Sequence, residues 1–405
     1  MTVEDRLREA LRSRADGVIA SQPEWSRVAD RLGRPRRRRL RFVTPALAAV
    51  AALVVAVVAW IDSESDGSRP LRTAGPSPTA TLPVPPADGR VPRGFRPISA
   101  TWISPLQGWV LGESLCSDPP CPSLLRTTDG GATWTGGPAP RAGAGRSAIR
   151  FADERNGWIY GEELWATHNA GSTWTHVERL PGKVTSLESS EDRAWATLES
   201  AGAGSVFTSA VGTDEWRPAS GPVRPAGSLV LHGAGGYVLG VDGSVLALSH
   251  PGGPSRPGEP GVLERRGTPC GGAPASLAPA GSDLMALCAG AAALGSSTKT
   301  LLVSSDGART WTTAGSPPRA GSAGRLAAAS RSTLVVAVAS GSSVLYRSDD
   351  GGATWTTVYD DATFGGAEFH DLGFTSASRG TAMLGNRLLQ TTDGGRTWSP
   401  VAFTS

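Results

Sequence analysis

Thr391-Thr392-Asp393-Gly394-Gly395-Arg396-Thr397-Trp398 holds the reading of this chain, because the same octapeptide recurs upstream. Close copies run from Thr127 to Trp134, Thr167 to Trp174, Ser304 to Trp311 and Ser348 to Trp355. Each places Ser or Thr first, Asp third, Gly fifth, Thr seventh and Trp last; Asn169 replaces the Asp once and Ala308 the Gly once. The pattern describes a hairpin turn. Asp129, Asp306, Asp350 and Asp393 are set to accept backbone N–H bonds within the turn, as Asx turns do. The fifth-position glycine supplies a positive φ. Trp134, Trp174, Trp311, Trp355 and Trp398 each open the outgoing strand and offer a large ring for burial.

Two worn copies fill the gap between the second and third clear ones. Thr208 to Trp216 keeps Thr, Gly212 and Trp with one residue inserted, and Ser249 to Arg256 keeps Ser, Gly253 and Ser255 but ends in Arg. Starts at 127, 167, 208, 249, 304, 348 and 391 give spacings of 40, 41, 41, 55, 44 and 43. Seven units near this period read as a radial array of sheets. Ahead of each turn lie three apolar segments, as in Thr101 to Gly112 and Arg150 to Gly161, both carrying Gly-Trp. Three strands before the turn and one after it make a four-stranded blade. The expected fold is all-β, a seven-bladed β-propeller over residues 95–405.

The octapeptide resembles the Asp-box, or bacterial-neuraminidase, repeat carried by sialidases, sortilin-type receptors, some glycoside hydrolases and photosystem II assembly/stability factors. The Gly-Trp strand before each turn is most similar to the assembly-factor type. The resemblance implies a propeller with its turns away from the usual ligand face. It transfers the fold and not a photosynthetic role.

Residues 42–61 form a run of 20 without a charge. At ~1.5 Å per residue such a helix spans ~30 Å, the hydrocarbon thickness of a bilayer. Arg34 to Arg41 precede it and Asp62, Glu64 and Asp66 follow, which predicts a single-pass anchor with the N-terminus inside. A cleaved signal peptide is the rival reading, with Val57-Val58-Ala59 as its cleavage site. Residues 1–41 read as a basic cytosolic tail of two short amphipathic helices, lying on the inner leaflet or docking a cytosolic partner. The arrangement resembles membrane proteins that join a short inner tail to an outer sensor, anti-sigma factors among them. Residues 62–94 are a stalk rich in Pro, Ser and Thr that cannot bury enough surface to order itself. The tail carries 12 Arg against 6 acidic residues, so the remainder of this +3 chain is slightly acidic, which argues against a nucleic-acid ligand.

Four cysteines fall in two local pairs, Cys116 with Cys121 and Cys270 with Cys288. They read as two disulfides in an oxidising compartment, or else as four buried thiols in a cytosolic protein. The second pair lies in the stretch that lengthens the spacing to 55. It reads either as a pinned recognition loop or as a staple on a poorly packed blade. Arg256, Arg265 and Arg266 nearby read as solvated surface charges.

Chemistry is weakly signalled. A sialidase needs an arginine triad, a Tyr/Glu pair and an acid Asp, and carries a Phe/Tyr-Arg-Ile-Pro element where this chain has Phe95-Arg96-Pro97-Ile98. Of four tyrosines, Tyr160 and Tyr237 align with core positions, while Tyr346 and Tyr359 flank a turn. The five histidines form no metal-binding pair, and Asp349-Asp350 lacks the ligand alternation of a calcium loop. No catalytic, metal or cofactor residue is assigned. The expected role is an extracytoplasmic, membrane-held module that binds a protein or glycan on one propeller face. The alternatives are a sialidase-like glycoside hydrolase and a transmembrane sensor whose tail engages a regulator.

Overall fold

The second strand of each blade is an almost unbroken apolar run, such as Gly108–Ser114 or Leu334–Ser340, and both of its faces are buried. That pattern requires a sheet with another sheet on either side. The computed structural model shows this arrangement. It describes residues 81–82 and 89–404, apart from 144–145, 179, 221–226, 233–234, 250–260, 273–274, 294, 323 and 364. The expected tail, the expected membrane segment and most of the expected stalk lie outside the described residues. Among the described residues no helix is long and apolar enough to cross a membrane.

Seven antiparallel sheets follow one another, each built from four consecutive strands. Blade 1 comprises Arg96–Trp102, Gly108–Ser114, Cys121–Thr127 and Thr135–Pro138. The first strands of blades 2 to 7 are Ala148–Phe151, Lys183–Ser189, Ser228–His232, Ala275–Ala280, Arg325–Ala328 and Phe369–Phe374. Blade 2 gains a fifth strand, because Thr81–Leu82 pairs with Trp174–His176 on its outer edge.

Each seam between neighbouring blades holds its own apolar cluster, seven in all. Trp109 stacks on Phe151 across the first seam, with centroids 3.9 Å apart. Hydroxyls on the inner strands add a second link. Ser99, Ser186 and Ser276 accept the backbone N–H of Ile149, Leu229 and Leu326 in the next blade.

No strand is shared between the last blade and the first. The ring closes mainly by side chains: Met383 and Leu388 of blade 7 pack with Val110, Leu125 and Trp134 of blade 1. Phe403 meets Phe95 and Trp134 at 5.1 and 5.3 Å. Arg379 donates to the carbonyls of Pro105 and Gly130, and Trp134 N–H to that of Thr404. The packed domain also begins ahead of Phe95. Val91 joins the closing seam, and Leu115 N–H donates to the Arg93 carbonyl at 2.9 Å.

Strand alternation sorts the loops onto two faces. One carries the turns between first and second strands and the described octapeptide turns. The other carries the second-to-third hairpins and the connectors between blades.

Candidate functional site

The octapeptide turns share one geometry. In blade 1, Thr127 Oγ1 donates to Asp129 Oδ1 at 2.8 Å and accepts Gly131 N–H at 2.9 Å. Asp129 also accepts Thr133 N–H at 3.0 Å and Thr133 Oγ1–H at 2.6 Å. Asp306, Asp350 and Asp393 repeat these bonds. Asn169 reverses one of them, because its amide donates to Thr173 Oγ1 at 2.8 Å where the carboxylates accept. These donors hold all four carboxyls below the ordinary range; bonds from Thr354 take Asp350 to about 2, and Asp393 sits at about 2 although burial opposes the shift. The fifth position has φ +92 at Gly131 and +65 at Ala308, a left-handed conformation that costs an alanine energy. Trp134, Trp174 and Trp398 are buried, while Trp311 and Trp355 are half-buried. Asp129, Asp306, Asp350 and Asp393 are each satisfied within their own turn, so these carboxylates are scaffold; Asp349 instead pairs with Arg347 and reaches Arg396 of the following turn at 4.0 Å.

The worn copies differ. Asp214 in the third turn bonds to Trp158 Nε1 at 3.2 Å and to His168 Nε2 at 2.9 Å, tying blade 3 to blade 2. The fourth copy lies largely outside the described residues.

Both cysteine pairs are disulfides, Cys116–Cys121 and Cys270–Cys288. The first closes the second-to-third hairpin of blade 1. The second joins the connector entering blade 5 to that blade's second strand, Asp283–Ala293, so it staples the blade. Arg266 departs from the expected surface charge. Its side chain is 12% exposed and pairs with Glu264 at 2.7 Å, whereas Arg265 is exposed and Arg256 lies outside the described residues.

A central channel runs between the first strands, and a larger, more open hollow of about 850 Å³ lies against blade 1 beside Arg93, Cys121 and Arg141. A cavity of about 400 Å³ touches the first strand of all seven blades, and one of about 260 Å³ lies at the mouth on the connector face. Arg325 lines both. Arg150 of blade 2 reaches Glu188 of blade 3 at 3.0 Å, approaches Asp371 of blade 7 at 3.8 Å, and donates to the Ala100 carbonyl of blade 1 at 3.4 Å. Burial works against its charge, but Glu188, Tyr160 and Asp371 outweigh it and hold Arg150 well above the usual arginine value. Burial pushes Glu188 up, with Arg150 opposing. Sequence reasoning missed this trio. Arg150 marked only the start of a repeat, and its partners stand far away in the chain.

Nucleophilic chemistry finds little support here. Tyr160 packs behind Arg150 and is absent from the cavity lining; burial pushes its phenol up to about 12, away from phenolate. Burial also raises Tyr237, Tyr346 and Tyr359. Among the described residues no three His, Cys, Asp or Glu side chains converge on a metal position.

No family model and no curated protein matches this chain. Solved structures do. YCF48 bound to D1 peptide aligns with a TM-score of 0.54 at 17% identity, over 77% of this chain and 96% of its own. YCF48 from Cyanidioschyzon merolae aligns at 0.52 and 17%, over 78% and 98%. An ancestral GH74 enzyme aligns at 0.51 and 14%, over 79% of this chain and 48% of its own. At such identities the likeness establishes the fold: a seven-bladed propeller of four-stranded blades.

Proposed function

We propose that this chain is an Asp-box propeller, held outside the cytoplasm by its N-terminal membrane segment. It acts as a non-catalytic module that binds a segment of a partner protein on the connector face over the channel mouth. The observation that carries this reading is an asymmetry between the two faces. The connector face holds both disulfides, the long blade 5 hairpin, and two of the three exposed large apolar residues among those described, Leu115 and Val241, with Leu106 on the opposite face. The opposite face holds the self-satisfied turns. Loops on a rigid scaffold are where recognition concentrates. YCF48, a structural neighbour, is seen bound to a peptide, which supports a peptide segment as the ligand class. The disulfides agree with an oxidising compartment.

The hydrolase reading draws on Glu188 and Asp371, two carboxylates in one cavity. Both face the same guanidinium, which engages them as ion-pair partners and does not leave them poised as a general acid and base. A fluorogenic sialoside and glycoside panel on the full-length protein tests this. No turnover is expected; turnover abolished by changing Glu188 or Asp371 to its amide would establish an enzyme. For the inner tail, in-cell crosslinking of residues 1–41 should yield a cytosolic partner if the chain also senses.

A further inference from the structure

Lys299 is one of only two lysines among 39 basic residues, and it is 3% exposed on the third strand of blade 5. No carboxylate pairs with it among the described residues. Its Nζ instead faces five backbone carbonyls: Ser297 at 3.2 Å, Pro318 at 3.1 Å, Arg319 at 3.2 Å, Ala320 at 3.2 Å and Gly321 at 2.8 Å. Four of the five come from consecutive residues of the connector between blades 5 and 6.

An ammonium has three N–H donors, so five oxygens exceed what directed hydrogen bonds require. Oxygens gathered round a point charge are the coordination that replaces the hydration shell of a monovalent cation. A neutral amine would turn its lone pair toward some of these oxygens and be repelled. A guanidinium is a planar fork and does not fit a rounded cage, which suits a lysine to this position. The backbone shows the same purpose. Ser297 N–H donates to the Arg319 and Gly321 carbonyls, and Gly321 N–H to that of Gly295, so the connector is folded round the hairpin base.

We propose that these five carbonyls form a monovalent-cation site whose resident ion is the tethered ammonium of Lys299. The ammonium fixes the connector that continues into Ser322, Gly324 and Arg325 at the channel mouth. Emptied of its side chain, the cage takes potassium or ammonium from solution. Lys299 is therefore a positioning residue for that rim, and this holds whether or not the rim binds a peptide.

Two measurements on the full-length protein test it. With lysine labelled by ¹⁵N, and Lys183→Arg removing the other signal, Lys299 should give a slowly exchanging ammonium resonance at neutral pH; an amine or a freely exchanging signal overturns the assignment. In thermal melts at equal ionic strength, Lys299→Ala in choline chloride should lie roughly 5 °C below the parent, the scale of several unsatisfied carbonyls. Potassium or ammonium chloride should restore at least half of that shift. Lys299→Met, which fills the side-chain space without a charge, should drop similarly and not recover. Equal melting of Lys299→Ala in all salts, or equal rescue of Lys299→Met, overturns the cation site.

Discussion

Replacing Arg150 by methionine removes the one cation that faces both Glu188 and Asp371 and leaves a side chain of similar length. At an effective dielectric of about 20, unit charges separated as Arg150 is from Glu188 (3.0 Å) and from Asp371 (3.8 Å) interact by roughly 5 and roughly 4 kcal/mol. Desolvation offsets most of that attraction, and the three side chains keep 21 to 30% of their exposure. The net loss on removing the cation alone then falls near the low end for a broken buried pair, about 3 kcal/mol. For a domain of this size that is a drop of roughly 5 °C in Tm. Changing Glu188 to glutamine in the same protein removes the stranded carboxylate, so the double variant should regain at least half of the drop, a coupling that a double-mutant cycle reads directly. The deficit also depends on pH. Burial already raises Glu188, and without Arg150 its carboxyl rises further. A carboxyl raised in the folded state contributes stability that is present below its unfolded value and lost as pH climbs through its folded value. The Arg150→Met deficit should therefore shrink in mild acid and grow toward neutral pH. Thermal unfolding followed by circular dichroism across that range is the assay. A single variant as stable as the parent, or a deficit indifferent to both pH and the Glu188 change, would refute the reasoning.

Phe403→Ala should cost about 2 kcal/mol, less than a fully buried phenylalanine. By hydrogen exchange with mass spectrometry the added exchange should be confined to blades 1 and 7; a uniform increase would contradict a local closing seam. The turn carboxylates lie below their ordinary value, so the stability they contribute is present above that value and is lost as pH falls toward about 2, where Asp350 and Asp393 titrate. Asp350→Asn keeps turn acceptors and should flatten part of this acid limb in a pH series of melts. Changing Cys270 and Cys288 to serine opens a loop of 18 residues and should cost about 3 kcal/mol, against about 2 for the five-residue loop at Cys116 and Cys121. Denaturant titration of the two double variants gives the order.

The repeat and its four-stranded blades were legible because the five clear octapeptides satisfy themselves: Thr127, Asp129 and Thr133 lie within one short stretch and bond to one another. Even the worn third turn kept its glycine and tryptophan. Its Asp214 was unreadable, since its partners His168 and Trp158 belong to the neighbouring blade. The channel trio was hidden for the same reason, as Asp371 meets Arg150 only once the ring has closed. Arg266 looked like a surface charge because nothing local signals that its side chain is largely covered in the folded blade, where it pairs with Glu264. The cage round Lys299 is built from carbonyls, which leave no side-chain signature in the chain. Ring closure was equally silent, because packing between Phe403, Phe95 and Trp134 has no pattern in the chain.

Partner recognition by the connector face is best tested by comparing the two faces in one experiment. A photo-crosslinking residue placed at Val241 or Leu115 samples the connector face, and one at Leu106, 58% exposed, samples the opposite face. In intact cells the same protein should be captured at Val241 and at Leu115 and not at Leu106. Capture at Leu106 alone, or equally at all three positions, would contradict the account.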